Sequence, residues 1–190
     1  MPEITLDGEK AKQSILYICN RMADRPGFGS TLLYKILFYA DRSHYVKTGK
    51  PITGFPYVKE KFGPIPNQTV FHAVADVLIS EDKLQRGSVA FFGNLQKRPI
   101  AKADADISVF SKGEIEDLEE TIAAFSDATA TIASRISHKE LAWKIADYNE
   151  ELPYFTSLFI KAKPTAKDVE WGNKQIETYK SALLRKGKTI

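Results

Sequence analysis

The sequence predicts a predominantly helical α+β fold in which an αα-hairpin and further helices pack with a small antiparallel β-sheet. Three observations carry this expectation. Apolar residues recur at helical spacing through much of the chain. The segment from Gly49 to Pro66 then interrupts that rhythm with seven Gly or Pro residues in eighteen. Finally, residues 83–109 carry short apolar runs with Gly87 and Gly93 as turn points. With 190 residues, 43% of them hydrophobic and 27% charged, the chain is expected to form one domain over 1–190.

Ile15, Ile18, Cys19 and Met22 stand at three- and four-residue intervals, which predicts an amphipathic helix over 8–25. Pro26, Gly27 and Gly29 break it. Ser30 is the expected N-cap of a second helix through Leu33, Ile36, Leu37 and Ala40, and Gly49 closes that helix. Together they form the αα-hairpin. The Gly/Pro-dense segment leaves room for one short extended piece near Phe55 and Tyr57, read as an edge strand. Val70, Phe71, Val74 and Leu78 resume helical spacing, and 83–109 reads as a hairpin or meander. Ser111 with Glu114, and Ser137 with Glu140, match the capping-box pattern and predict two helix starts. A last helix is expected from Thr165 to Gly187, so that C-terminal helices over 151–187 pack on the rest.

The balance of 27 basic against 24 acidic residues gives a net charge of +3, too small a bias to indicate nucleic acid. Cys19 is the only cysteine, which rules out an intramolecular disulfide and fits a reducing cytoplasm. The longest apolar stretch, Leu32 to Ala40, contains Lys35 and is far shorter than the ~20 residues of a membrane span. Pro2, Glu3 and Asp7 do not resemble the cationic start of a secretory signal. A cytoplasmic location is the expectation.

The sequence carries few signatures of chemistry. Gly27-Phe28-Gly29-Ser30 precedes a helix but lacks the Lys-Ser/Thr ending of a phosphate loop. His44, His72 and His138 are scattered, and only Asp41 with His44 has a spacing that puts two ligands on one helical face. No metal site and no cofactor are expected. Cys19 lies on an apolar helical face and no serine sits in a G-x-S-x-G elbow, so no catalytic residue is assigned. Lys47, Lys50, Tyr57, Lys59, Lys61 and Phe62 have the ingredients of a single-strand nucleic-acid groove, and equally those of a loop anchored in the core. Residues 174–190 carry five basic residues against Glu177 alone, either a second candidate phosphate surface or, the stronger reading, charges that offset the negative dipole of a helix C-terminus. The Gly/Pro-rich segment is either a preorganised protein-binding surface or a cover for the αα-hairpin with Phe55, Tyr57 and Phe62 turned inward.

Tyr34-Lys35-Ile36-Leu37-Phe38-Tyr39-Ala40-Asp41-Arg42, then Tyr45, Thr48-Gly49-Lys50-Pro51-Ile52, Tyr57 and Lys61-Phe62-Gly63-Pro64-Ile65-Pro66 together resemble the Panacea domain, the SocA-like antitoxin family. Asp106 to Ser111 with Glu114, and Ser137-His138 ahead of Trp143, resemble its C-terminal signatures, so the likeness covers roughly residues 12–150. It implies an antitoxin of a bacterium, phage or mobile element that binds a cognate protein toxin directly, with no chemistry of its own. A proteolytic adaptor and a DNA-binding autoregulator are the alternatives, and a homo-oligomer is compatible with each.

The positions carried over as motif or partner-binding candidates are Lys35, Tyr39, Asp41, Arg42, Tyr45, Tyr57, Lys61, His138 and Trp143. Gly49, Gly54, Gly63 and Pro64 are expected to shape the loop, the glycines through unusual backbone angles. Asp41 and Arg42 are expected to hydrogen-bond the turn, and Trp143 to pack. A shared scaffold must vary where partners differ, which directs attention to the final helix and to 83–103. Pro153, Tyr154, Phe155, Phe159 and Trp171 are candidate aromatic or apolar anchors, or else packing residues of the terminal helices.

Overall fold

A computed structural model describes residues 4–158 except Phe92; the helix expected over 165–187, the basic residues of 174–190, and Phe159 and Trp171 lie outside the described residues. The described chain is α+β and mainly helical. It runs α1 (Gly8–Arg21), α2 (Ser30–Thr48), β1 (Tyr57–Val58), β2 (Ile65–Pro66), α3 (Gln68–Ser80), β3 (Leu84–Phe91), β4 (Asn94–Ala101), α4 (Lys112–Phe125), α5 (Ala130–Ser137) and α6 (Leu141–Ile145). Short 3-10 turns occupy Ile107–Val109 and Tyr154–Leu158.

Helix α2 is the axis of the fold. Leu32, Leu33, Lys35, Ile36, Leu37, Phe38, Ala40, Asp41 and Arg42 are all buried. Such a nearly unbroken run cannot lie on one face of a 3.6-residue helix, so neighbours cover α2 on every side. Those neighbours are α1, α4, α5, β2, β4 and the 154–158 turn. Each fully buried Leu, Ile or Phe contributes about 1.5–3 kcal/mol relative to exposure, which makes α2 the main source of apolar stabilisation. Polar contacts fasten α1 to α4, where Lys10 pairs with Glu114 at 2.7 Å and Glu119 takes both Tyr17 at 2.6 Å and Arg21 at 2.7 Å.

The helix boundaries test the local signals. Asp7 caps α1 and Asn67 caps α3 through their side chains, and Gly49 ends α2 in the left-handed conformation at φ 77°. Ser111 and Glu114 form the reciprocal capping box expected of α4. Two expected caps fail. Gly29, not Ser30, occupies the N-cap of α2, and the Ser30 hydroxyl donates instead to the Lys97 carbonyl. Ser137 belongs to the end of α5, where its hydroxyl donates to the Ser134 carbonyl 2.9 Å away, so α6 starts later, behind Glu140.

The Gly/Pro-rich segment holds two short strands where one was expected, β1 and β2, paired antiparallel as Tyr57 with Pro66 and Val58 with Ile65. Residues 84–101 form a regular hairpin, Leu84 opposite Ala101 through Phe91 opposite Asn94.

Candidate functional site

The motif residues sort along α2 into two buried nodes. The first surrounds Asp41, whose carboxylate accepts from the Thr53 N–H at 2.6 Å, the Thr53 hydroxyl at 2.5 Å, the Tyr57 hydroxyl at 2.7 Å and the Tyr154 hydroxyl at 3.1 Å. A carboxylate 1% exposed would be strongly destabilising without such donors, and here they converge on it from the loop and from the 154–158 turn. Burial raises Asp41 above the usual carboxylate range, and the bonds from Thr53, Tyr57 and Tyr154 oppose that rise. Burial, and after it the Asp41 charge, pushes the Tyr57 and Tyr154 phenols up. Tyr154 is therefore a core residue and not an exposed anchor, with its hydroxyl also 2.8 Å from the Phe55 carbonyl. Tyr45 is buried beside it, ring centroids 5.6 Å apart.

Asp41 binds the loop as expected, and Arg42 does not. Its guanidinium donates to the carbonyls of Leu152 at 3.3 Å and Pro153 at 3.2 Å and to the Thr156 hydroxyl, while lying 4.8 Å over the Phe38 ring. Both residues thus hold the 152–156 segment to α2, Asp41 through Tyr154 and Arg42 through Leu152, Pro153 and Thr156, and Asp41 in addition holds the loop through Thr53 and Tyr57. The Gly54 backbone, at φ 73°, lies so close to the segment before α1 that a Cβ there would sit 2.2 Å from the Thr5 carbonyl oxygen.

The second node surrounds Lys35, fully buried, whose ammonium donates to the Pro64 carbonyl at 2.6 Å. Burial lowers its pKa to about 7. Gly63 adopts φ 97°, and a Cβ there would lie 2.1 Å from the Ser137 hydroxyl and 3.0 Å from the Lys35 Nζ. The Gly-Pro turn is thus pressed between α2 and the end of α5, a closeness that only glycine permits. His138 stacks on Trp143 with ring centroids 4.0 Å apart, and burial and the Lys35 charge lower its pKa. The Trp143 indole N–H donates to the Glu60 carbonyl at 3.1 Å, and the Lys59 ammonium lies 4.8 Å over the indole ring. Tyr39 reaches the same end of the fold, its hydroxyl donating to Glu140 at 3.0 Å and its ring stacked on Phe125.

Phe55 and Tyr57 are tucked inward, as a cover for the helices requires, but Phe62 is 60% exposed with Lys61 beside it. The loop is thus a core plug with an exposed tip. Buried Tyr57 cannot stack on a base, and Lys47 is bonded to Asp117 and Glu120. His44 pairs with Asp117 at 2.6 Å and not with Asp41. Thr53 and Asp117, missed as organising residues, meet their partners through the tertiary fold, which local sequence spacing does not reveal. Cys19 is 3% exposed, and burial pushes its thiol up to about 12. Among the described residues no group of three or more His, Cys, Asp or Glu is placed to hold a metal ion, and no helix is long and apolar enough to cross a membrane.

Neither a curated protein nor a solved structure matches this chain. A family model does: the one described as Antitoxin SocA-like, Panacea domain, over residues 33–144. That span contains the whole Lys35 node, the Asp41 carboxylate with its Thr53 and Tyr57 donors, and the Gly/Pro-rich loop between them. The match extends over more than half of the 190 residues, and the chain belongs to the SocA-like antitoxin family, as a Panacea domain.

Proposed function

We propose that this protein is the antitoxin of a toxin–antitoxin pair and neutralises a cognate protein toxin in the cytoplasm by direct contact, making and breaking no covalent bond. Family membership supports an antitoxin role, and one structural observation favours contact as its mechanism. The reactive side chains of the motif are committed internally: Lys35 is 0%, Asp41 1% and Tyr57 0% exposed, each hydrogen-bonded to the protein's own segments. None of these three side chains lines any of four surface clefts of about 260 to 660 Å³ among the described residues, although Tyr45 and Gly54 line one of them. The motif builds a rigid scaffold, and the surface it holds in place does the recognising.

The test is co-expression with the open reading frame adjacent to this gene. Relief of the growth arrest caused by that neighbour, together with co-purification at a fixed ratio and an unchanged toxin half-life, is the expected result. A toxin half-life shortened in a protease-dependent manner would replace blocking by delivery to a protease. Salt-sensitive binding to its own promoter without toxin capture would replace it by autoregulation. Absence of both relief and co-purification would overturn the antitoxin reading.

A further inference from the structure

The β3–β4 hairpin has one protected edge and one open edge. Its two-residue connection makes Phe91–Asn94 a hydrogen-bonded pair, and such pairs recur at every second position. Two observations agree with that phase. Lys83, in the position following Gln85–Ile100, accepts from the Lys102 N–H at 2.8 Å, and the Lys97 carbonyl, pointing away from β3, accepts from the Ser30 hydroxyl. The outer edge of β4 is therefore turned toward the body of the protein. It is also blunted by Pro99, which has no N–H to offer.

By the same phase, the N–H and C=O groups of Arg86, Ser88 and Ala90 point outward from β3. Among the described residues none of these groups meets another segment's backbone, and Gln85, Arg86, Ser88, Val89 and Ala90 are exposed. Natural edges are usually defended by charge, proline or a bulge. From Gly87 to Gln96 the sequence has no charged residue at all. The rest of the hairpin is one-sided in charge, with Arg86, Lys97 and Arg98 and no Asp or Glu between Leu84 and Ala101. These three cations also line a cleft of about 330 Å³ against α2 and α3 that no carboxylate lines. Asp76 holds Arg86, the Ala23 carbonyl holds Arg98, and no carboxylate among the described residues pairs with Lys97.

From this edge we infer that an extended, acidic segment of the cognate toxin adds to β3 as a third strand, with its backbone paired to Arg86, Ser88 and Ala90. Alternate side chains of that segment fall on the face of Arg86 and Lys97, over the basic cleft, where Asp or Glu is favoured. A second copy of this chain is the weaker occupant, because edge-to-edge pairing would bring two hairpins of net charge +3 together. The inference rests on the antitoxin reading and adds to it the surface and the chemistry of the partner.

The test uses Ser88→Pro in the full chain, with the protein encoded by the adjacent open reading frame as the binding probe. Ser88 faces outward in the ladder, so proline there removes no β3–β4 hydrogen bond and blocks an added strand. The expected result is at least a tenfold loss of toxin affinity, and a several-fold loss for Lys97→Glu. Hydrogen exchange on the wild-type complex serves where the variant folds poorly: the amides of Arg86, Ser88 and Ala90 are expected to exchange fast in the free chain and slowly with toxin bound. If the wild type binds toxin while Ser88→Pro binds equally well and those amides stay unprotected, the edge proposal fails and the antitoxin reading stands. If the wild type binds no toxin, the antitoxin reading fails first. A wild-type dimer that Ser88→Pro dissolves, with toxin affinity unchanged, would overturn the proposal by assigning the edge to a second copy.

Discussion

Lys35→Met offers the sharpest test of how the scaffold is held, because it removes a buried amine and keeps an unbranched apolar stem of similar length. The amine is fully buried with the Pro64 carbonyl as its hydrogen-bond acceptor, and burial takes its pKa from an ordinary 10.5 to about 7. A base whose folded pKa lies below its unfolded one makes the native state bind fewer protons. Stability therefore rises with pH through the window from about 7 to 10.5, as the unfolded state gives up its proton advantage. Integrating across part of that window, the wild type gains about 2 kcal/mol from this one group between pH 7 and 9. The methionine variant lacks the gain, whatever constant offset comes from leaving the Pro64 carbonyl without its donor. Urea unfolding of both proteins at pH 7, 8 and 9 measures the difference directly. A wild-type profile that climbs by about 2 kcal/mol relative to that of the variant between pH 7 and 9 is expected. Parallel profiles would refute the reasoning, since they would mean that the amine stays hydrated or ion-paired in the native state.

The remaining predictions concern the loop and the lone thiol. Ala substitutions at Gly54 and Gly63, where φ is positive and a Cβ would meet an atom within 2.2 Å, should each destabilise by about 3 kcal/mol or more. At Gly49, also at positive φ but with open space around it, the loss should be only about 1 kcal/mol. Thermal unfolding ranks the three, and equal losses would remove close approach as the reason for glycine in the loop. Cys19, buried and with its thiol pushed up to about 12, should react with Ellman's reagent only on unfolding. Prompt labelling of the native protein would show that the α1 face opens.

Much of this architecture is legible in the sequence because its signals are local. Gly49 ends α2 and the Ser111–Glu114 pair begins α4 through contacts no more than four residues apart, and the hairpin at 84–101 follows from short apolar runs on either side of Gly93, whereas Gly87, the other expected turn point, lies inside β3 opposite Arg98. The same locality explains the failures. Ser137 and Glu140 have the capping-box spacing, yet the Ser137 hydroxyl was already committed to its own helix. Strands of two residues, as in β1 and β2, are too short to show any period. The place of Arg42 next to Asp41 in the sequence points to the same turn, whereas its carbonyl acceptors lie 110 residues and more along the chain. Tyr154 stays open in the sequence between an anchor and a packing residue, because an aromatic near a C-terminal segment carries no sign of which way it faces, and the structure places it in the core. The family resemblance located the motif, and the tertiary contacts show that most of it is buried framework.

The central claim is that this protein acts by occupying another macromolecule, and a titration tests it most directly. Purified toxin is mixed with increasing amounts of this chain, and residual toxin activity is followed against molar ratio and against time. Neutralisation by contact predicts an immediate loss that ends at a fixed stoichiometry and is reversed when the two proteins are separated under denaturing conditions and the toxin refolded. Progressive, irreversible inactivation by substoichiometric amounts of this chain would contradict the account, because it would show turnover.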